Sequence, residues 1–132
     1  MMKIHQFNPE VYPVRLWVTI TYNIRELSEN FGLFPEGEIK WGDIWGKKAT
    51  TAWVYKKDDK KLGVLIVFYK REHCNMENVA HEAAHAASFI WEYLGEVEML
   101  GEEANAYLMG WIAKCCEIVK NYKNGQTNNV IN

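Results

Sequence analysis

Residues 81–85, with the sequence His-Glu-Ala-Ala-His, have the side-chain types and the spacing of a metal site that carries its own base. On a helix, residues four apart lie about 40° apart around the axis and one turn apart along it, so His81 and His85 can point at one ion. Two imidazole nitrogens suit zinc. Glu82 lies about 100° from His81, where it could take a proton from zinc-bound water. The pattern therefore predicts Zn²⁺ held by His81 and His85, with Glu82 as the general base.

A third zinc ligand is expected, because a catalytic zinc has three protein ligands and one open position. Five downstream glutamates are the candidates: Glu92, Glu96, Glu98, Glu102 and Glu103. Glu92 lies seven residues beyond His85, about 10.5 Å further along the same helix, which is too far to share the ion. Glu102 and Glu103 open the next predicted helix, where they also suit the positive end of its dipole.

Two helices are predicted around the motif. The first covers residues 76–94, with Asn75 as its N-cap and Gly95 at its end. Its apolar residues recur at helical spacing along one side, so one face packs and the other carries the two histidines. The second helix covers residues 102–122 and is nearly all apolar from residue 104 to residue 118. Its surplus apolar surface predicts that two copies of the chain pair through this helix as a homodimer.

The N-terminal half begins with a predicted strand over residues 11–21, which are mostly β-branched or aromatic, with Pro13 placing its start at a sheet edge. A short helix over residues 23–31, closed by Gly32, is expected next. Residues 33–48 contain several residues that break regular structure, which predicts a long loop.

Two strand-like runs, residues 52–55 and 62–69, are separated by a charged turn and predict an antiparallel hairpin. The second run is apolar on both faces, so both of its faces should be covered. The sequence therefore predicts an α+β fold, in which a small, mostly antiparallel sheet packs on the motif helix and a second, C-terminal helix.

A length of 132 residues fits one domain, which we place over residues 1–122. Residues 123–132 are dominated by polar side chains and glycine, with little apolar surface to offset the entropy of ordering. They are predicted to form a flexible C-terminal tail.

The charge pattern and the cysteines limit the classes of partner and compartment. Acidic and basic residues are interspersed and give a net charge of −2, so no nucleic-acid partner is expected. The N-terminus lacks the apolar stretch of a signal peptide, and no segment is long enough to span a membrane. Three cysteines, Cys74, Cys115 and Cys116, are an odd number, and no disulfide framework is expected. Cys115 and Cys116 are predicted to be packing residues, and Cys74 lies too far before His81 to share the ion. A reducing, cytoplasmic location is expected.

The motif followed by a glutamate at the start of the next helix resembles the gluzincin branch of zinc metallopeptidases, in a minimal form. In that branch the third ligand begins an E-x-x-x-D or E-x-x-A-D pattern, whose last residue supports a metal-bound histidine. Residues 103–107 match E-x-x-A and carry Tyr107 in place of the aspartate. The resemblance thus implies Glu103, rather than Glu102, as the third ligand, and gives Tyr107 or a backbone oxygen the supporting role.

Residues 102–106 also resemble the E-x-E-A-N segment of ImmA/IrrE-like peptidases, although alignment on Ala104 and Asn105 puts that family's first glutamate at Gly101. A third resemblance is to small phage-encoded and prophage-encoded proteins with an HE-x-x-H-A-A helix followed by E-x-x-A-Y-L. These resemblances cover about residues 75 to 112.

The resemblance implies a zinc metallopeptidase that hydrolyses a peptide or protein substrate, with an exposed edge strand near the metal helix to hold the substrate backbone. It also implies a Tyr or His that steadies the oxyanion. Tyr69, Tyr93 and Tyr107 are the candidates, and spacing does not choose among them. The alternative is a non-catalytic, zinc-stabilised partner-binding protein of a phage or mobile element. A metal-free interaction protein is a third hypothesis.

Overall fold

A five-stranded sheet of order β1-β2-β5-β4-β3 forms the centre of the fold in the computed structural model, which describes residues 3–9, 12–40 and 46–123. The strands are β1 (His5–Phe7), β2 (Arg15–Ile20), β3 (Phe31–Leu33), β4 (Ala49–Lys56) and β5 (Leu62–Phe68). The helices are α1 (Ile24–Asn30), α2 (Met76–Leu94) and α3 (Glu103–Lys120), with 3-10 turns at Arg71–His73 and Val97–Gly101. Strands β2 and β5 pair in parallel, whereas the other neighbouring strands pair antiparallel. The predicted α+β fold with a mostly antiparallel sheet is confirmed.

The hairpin of β4 and β5 is confirmed, with Thr51 opposite Ile66 and Trp53 opposite Val64. Strand β4 begins at Ala49, three residues before the predicted start, because the β-branched Thr50 and Thr51 extend the pairing. Strand β5 is buried along nearly its whole length, as its apolar sequence predicts. This strand is the centre of the sheet, between β2 and β4.

The N-terminal half differs from the sequence prediction in each of its first three strands, since β2 begins at Arg15 rather than at residue 11 and β3, like β1, was not predicted. Strand β1 was not predicted, and it pairs with β2 so that β2 is an inner strand rather than an edge. Pro13 lies before β2, where it removes no ladder hydrogen bond. Gly32 does not close α1 but lies in β3, where a Cβ atom would come within 2.4 Å of the Tyr55 ring. A larger residue at this position would therefore displace the Tyr55 ring, so glycine is favoured by the packing of β3 on β4 and not by a helix end.

The two faces of the sheet carry separate cores. Helices α2 and α3 cover one face, where the buried side chains include Leu16, Val18, Val64, Ile66, Phe68, Ala83, Ala86, Ile90, Leu108 and Ile112. Helix α1 covers part of the other face, which buries Trp17, Leu27, Phe31, Val54, Leu65, Val67 and Tyr69. Each face of the sheet buries enough apolar side chains to form a core, and the three cysteines are free rather than joined in a disulfide.

Helix α2 has the bounds that its local sequence predicts. The Asn75 side chain accepts a hydrogen bond from the Asn78 N–H at 2.9 Å, which caps the first turn. The helix ends at Gly95, which has a φ of 73°. The caps at both ends therefore fix where α2 begins and ends.

Helix α3 turns much of its apolar side to the protein's own core, burying Leu108, Ile112, Cys115, Cys116 and Val119. A homodimer through this helix stays a prediction. Within the described residues, neither long helix has an apolar stretch of the length that crossing a bilayer requires. The predicted flexible tail lies outside the described residues except for Lys123.

All three cysteine thiols are free and buried, so we expect them to resist modification in the folded protein. Burial raises the pKa of Cys74 to about 11 and that of Cys115 to about 12. Burial, followed by the neighbouring thiols and Glu82, raises the pKa of Cys116. Because the folded pKa values lie above the ordinary value of 9.0, the thiols stabilise the fold fully below about pH 9, and this contribution is lost as the pH rises through 11 to 12.

Thiol titration with an aromatic disulfide reagent at pH 8 checks this expectation. The native protein should react at least about 10-fold more slowly than the same protein in urea, where all three thiols become accessible. Rapid reaction of a native thiol would contradict the buried placement.

Candidate metal centre

His81 and His85 lie on the solvent-exposed face of α2, with their side chains side by side. Their Nε2 atoms are 3.2 Å apart, and the ring centroids are 4.8 Å apart at an interplanar angle of 77°. Two zinc–nitrogen bonds of about 2.0–2.1 Å at a tetrahedral angle would place the nitrogens about 3.3 Å apart. The two rings are therefore spaced to bind one zinc ion.

The opposite face of α2 explains why the histidines face outward. Ala83, Ala86, Ala87 and Ile90 are buried against the sheet and α3. These residues recur at helical spacing, and burying them fixes the rotation of α2 about its axis. The three alanine side chains are short, so the sheet and α3 can approach α2 closely. The packing of α2 thus presents the two imidazoles to solvent.

Glu82 points away from the histidine face towards β4, and its residue surface is only 7% exposed. The Thr51 hydroxyl donates a hydrogen bond to Glu82 Oε1 at 2.7 Å and lies 3.3 Å from the Glu82 backbone oxygen. A buried carboxylate needs such a partner, since an unpaired charge away from water is costly. Thr51 therefore holds the predicted base against the strand next to it.

Thr51 was not identified from the sequence as a site residue. The available signal was the pair Thr50 and Thr51, two β-branched hydroxyl residues just before the predicted strand. Their side chains face opposite sides of the sheet: the Thr50 hydroxyl accepts a hydrogen bond from Tyr69 at 2.7 Å, while the Thr51 hydroxyl reaches Glu82. Only the tertiary packing of α2 on β4 determines which of the two meets the base.

The backbone of Thr51 faces the outer side of β4. In an antiparallel pair, residues whose N–H and C=O face the neighbour alternate with residues whose groups face away. The Trp53 C=O accepts from the Phe34 N–H at 3.1 Å on the side away from β5, so the groups of Thr51 face that side as well. Strand β3 pairs only with the far end of β4, from Val54 onward. Over the described residues, no strand pairs with the outer side of β4 at Thr51.

An aromatic cluster borders this stretch of β4. Trp53, two residues beyond Thr51 on the same face of the strand, packs with Tyr93 at 5.3 Å and with Phe89 at 6.2 Å between ring centroids. Phe34 lies 6.4 Å from the same ring. Phe34 and Tyr93 are each about half exposed. The cluster therefore gives an apolar surface next to the outer side of β4.

Glu103 does not join the two histidines in this structure. Helix α3 runs back along α2, since Asn105 Oδ1 accepts from Trp91 Nε1 at 2.9 Å and the Cys116 carbonyl lies near Cys74. Trp91 is six residues beyond His85, about 9 Å along α2, and Glu103 lies beside that far end. Among the described residues, no three His, Cys, Asp or Glu side chains form a group that could hold a metal ion. Glu103 and Glu102 are both exposed, and Glu103 as the third ligand stays a prediction.

The candidate tyrosines are placed apart from one another. Tyr93 is on the β4 side of α2, in the aromatic cluster, and lies eight residues beyond His85. Tyr107 is on α3 and 74% exposed. Tyr69 is buried under the opposite face of the sheet, where it donates to Thr50. Of the three, Tyr93 is the one that packs on the face of β4 that α2 covers, and the oxyanion role of Tyr93 or Tyr107 stays a prediction.

Two metal-binding nitrogens and a buried carboxylate thus come from one stretch of α2, and the carboxylate accepts from a β4 residue whose backbone faces outward. Such a set can bind one divalent ion and accept a proton from water beside it. No protein-family model, no curated protein and no solved structure matches this chain.

Proposed function

We propose that this protein is a zinc-dependent peptidase in which His81 and His85 bind the metal and Glu82 is the general base. The observation that carries the proposal is the 3.2 Å spacing of the two Nε2 atoms on the helix face next to the buried Glu82. The donor set fits zinc, because imidazole nitrogens suit this ion. When bound, zinc polarises the scissile carbonyl and makes water more acidic. Glu103 is the proposed third ligand, on the resemblance of residues 103–107 to the gluzincin pattern.

The outer side of β4, which is the side away from β5, is the proposed binding surface for the peptide. The N–H and C=O of Thr51 face outward, and an extended peptide can pair with them as an added strand. A peptide held there would pair with the same residue whose hydroxyl donates to Glu82 Oε1. The rings of Phe34, Trp53 and Tyr93 favour peptides with a bulky apolar side chain at the position that reaches them.

Glu82 carries the proton transfers of the proposed reaction. Its carboxylate takes a proton from water as the water oxygen bonds to the scissile carbonyl carbon. The carbon–nitrogen bond then breaks, and Glu82 passes the proton to the leaving amine. The second proton of the water stays on the new carboxyl group and then passes to the amine, so the products are a carboxylate and an ammonium group, and Glu82 returns to its starting state.

The experiment that tests this function is a cleavage assay with a mixture of unstructured peptides. We expect zinc-loaded protein to generate new peptide termini, detected by mass spectrometry. Protein stripped of metal with a chelator should lose at least about 100-fold of the rate and regain it when zinc is restored. Absence of cleavage by fully zinc-loaded protein, or cleavage that survives complete metal removal, would refute the proposal.

A further inference from the structure

We propose that Thr51 is a positioning residue that aims the carboxylate of Glu82 and links it to the strand on which the peptide is seated. This inference rests on the proposed peptidase function and deepens it. Its observations are the 2.7 Å hydrogen bond to Glu82 Oε1 and the outward-facing backbone of the same residue.

The position of Thr51 is well fixed within the sheet. Its Cα pairs with that of Ile66, and its neighbours Thr50 and Ala52 pair with Val67 and Leu65 on the central strand β5. The branched side chain has few allowed χ1 rotamers, so the hydroxyl has little freedom once the strand is in place. Thr51 is thus a rigid point from which a hydrogen bond can orient a more flexible partner.

Glu82 is the more flexible partner. Its carboxylate is at the end of three rotatable side-chain bonds, and among the described residues Thr51 is its only hydrogen-bond donor. The bond occupies Oε1 and leaves Oε2 to accept a proton from water. Loss of the Thr51 hydroxyl would leave a nearly buried carboxylate without a donor and free to leave its fixed position against β4.

The same residue faces the proposed peptide. Its backbone groups face the outer side of β4, whereas its side chain faces Glu82 on α2. A peptide that pairs with Thr51 is therefore held in a fixed relation to the base, through one residue. The geometry couples the register of the peptide to the direction of proton transfer, and a misplacement of about 1 Å between reacting groups can cost about 100-fold in rate.

Thr51→Val, Thr51→Ser and Thr50→Val, each zinc-loaded, test this inference on a peptide that the wild type cleaves. Val keeps the shape of Thr and removes the hydroxyl, and Ser keeps the hydroxyl. We expect Thr51→Val to lower kcat by about 10- to 100-fold, as loss of a hydrogen bond to a charged group implies, with KM within about 2-fold. Thr51→Ser should restore most of the rate. Thr50→Val removes a hydroxyl on the other face of the sheet and should leave kcat within about 2-fold of wild type.

Two further measurements separate positioning from a structural role. In a Glu82→Gln background, Thr51→Val should lower kcat no further, because the residue acts through the base. A double-mutant cycle of Thr51→Val with Glu82→Ala, measured by urea unfolding, needs no substrate. The effect of Thr51→Val on the unfolding equilibrium constant should differ by at least about 3-fold between the wild type and the Glu82→Ala background.

Equal losses in Thr51→Val and Thr51→Ser, or no loss in either, would overturn the inference and leave the proposed function intact. If zinc-loaded wild type cleaves no peptide, the proposed function fails together with the positioning role. In that case the unfolding cycle still shows whether the side chains of Thr51 and Glu82 interact. A coupling below about 3-fold would mean that the hydrogen bond does not hold Glu82 at all.

Discussion

Replacing Glu82 by Gln is expected to lower the rate of zinc-dependent hydrolysis by about 10²- to 10⁴-fold, because the amide cannot take a proton from water. The substitution keeps the size of the side chain and keeps an oxygen that can accept from the Thr51 hydroxyl at the same position. The fold and the zinc site should therefore remain. Initial rates on a peptide cleaved by the wild type, at saturating zinc, measure the effect.

A zinc titration of Glu82→Gln is the control for this prediction, and its zinc affinity should lie within about 3-fold of the wild-type value, since Glu82 is not a metal ligand in the proposal. Circular dichroism should show an unchanged fold. Full hydrolytic activity in Glu82→Gln with zinc bound would rule out Glu82 as the general base.

Replacing His81 or His85 by Ala is the second prediction with a large effect. Each substitution removes one of the two nitrogens that are 3.2 Å apart, so zinc affinity should fall by at least about 100-fold. Loss of a residue that merely supports a ligand already costs about 10- to 100-fold in metal affinity. Competition against a fluorescent zinc chelator measures the dissociation constant. Hydrolysis should fall in parallel at limiting zinc.

His73→Ala is a matched control, because His73 lies in the 3-10 turn before α2 and outside the pair of histidines. Its zinc affinity should stay within about 2-fold of wild type. Glu103→Gln should weaken zinc binding as a ligand variant does, whereas Glu102→Gln should not. If neither glutamate variant changes the zinc affinity, Glu103 is not the third ligand. If a variant with both His81 and His85 replaced by Ala still binds zinc tightly, the proposed site is wrong.

Local sequence signals predicted α2 within the correct bounds. The N-cap Asn75 and the C-terminal Gly95 act on their immediate neighbours, so their effect can be seen without the rest of the chain. The spacing of His81, Glu82 and His85 on one turn of helix likewise depends only on helix geometry. The hairpin of β4 and β5 was predicted for the same reason, since its two strands are joined by a short charged turn.

Features that depend on distant parts of the chain were missed. Strand β1 has three residues and forms by pairing with β2, so it carries no periodicity of its own. Gly32 was assigned to a helix end, whereas packing against Tyr55 explains it. The contact of Thr51 with Glu82 joins residues 31 positions apart, and no local pattern distinguishes Thr51 from Thr50.

The position of α3 relative to the two histidines also could not be predicted from the sequence. The sequence predicted that Glu102 and Glu103 open α3, and in the structure Glu102 is the N-cap residue and Glu103 the first residue of the helix. The register of α3 on α2 depends on contacts such as Trp91 with Asn105, which place Glu103 about two turns beyond His85. A motif can therefore identify candidate ligands on a second helix, while interhelix packing determines which of them reach the ion.

A crystal of the zinc-loaded protein, measured on both sides of the zinc absorption edge, tests the central claim most directly. We predict one anomalous peak at about 2.0–2.1 Å from Nε2 of both His81 and His85, with Glu82 outside bonding distance and at least one further position open to solvent or substrate. A peak at another place in the chain, or no peak at full zinc loading, would contradict the proposed metal site.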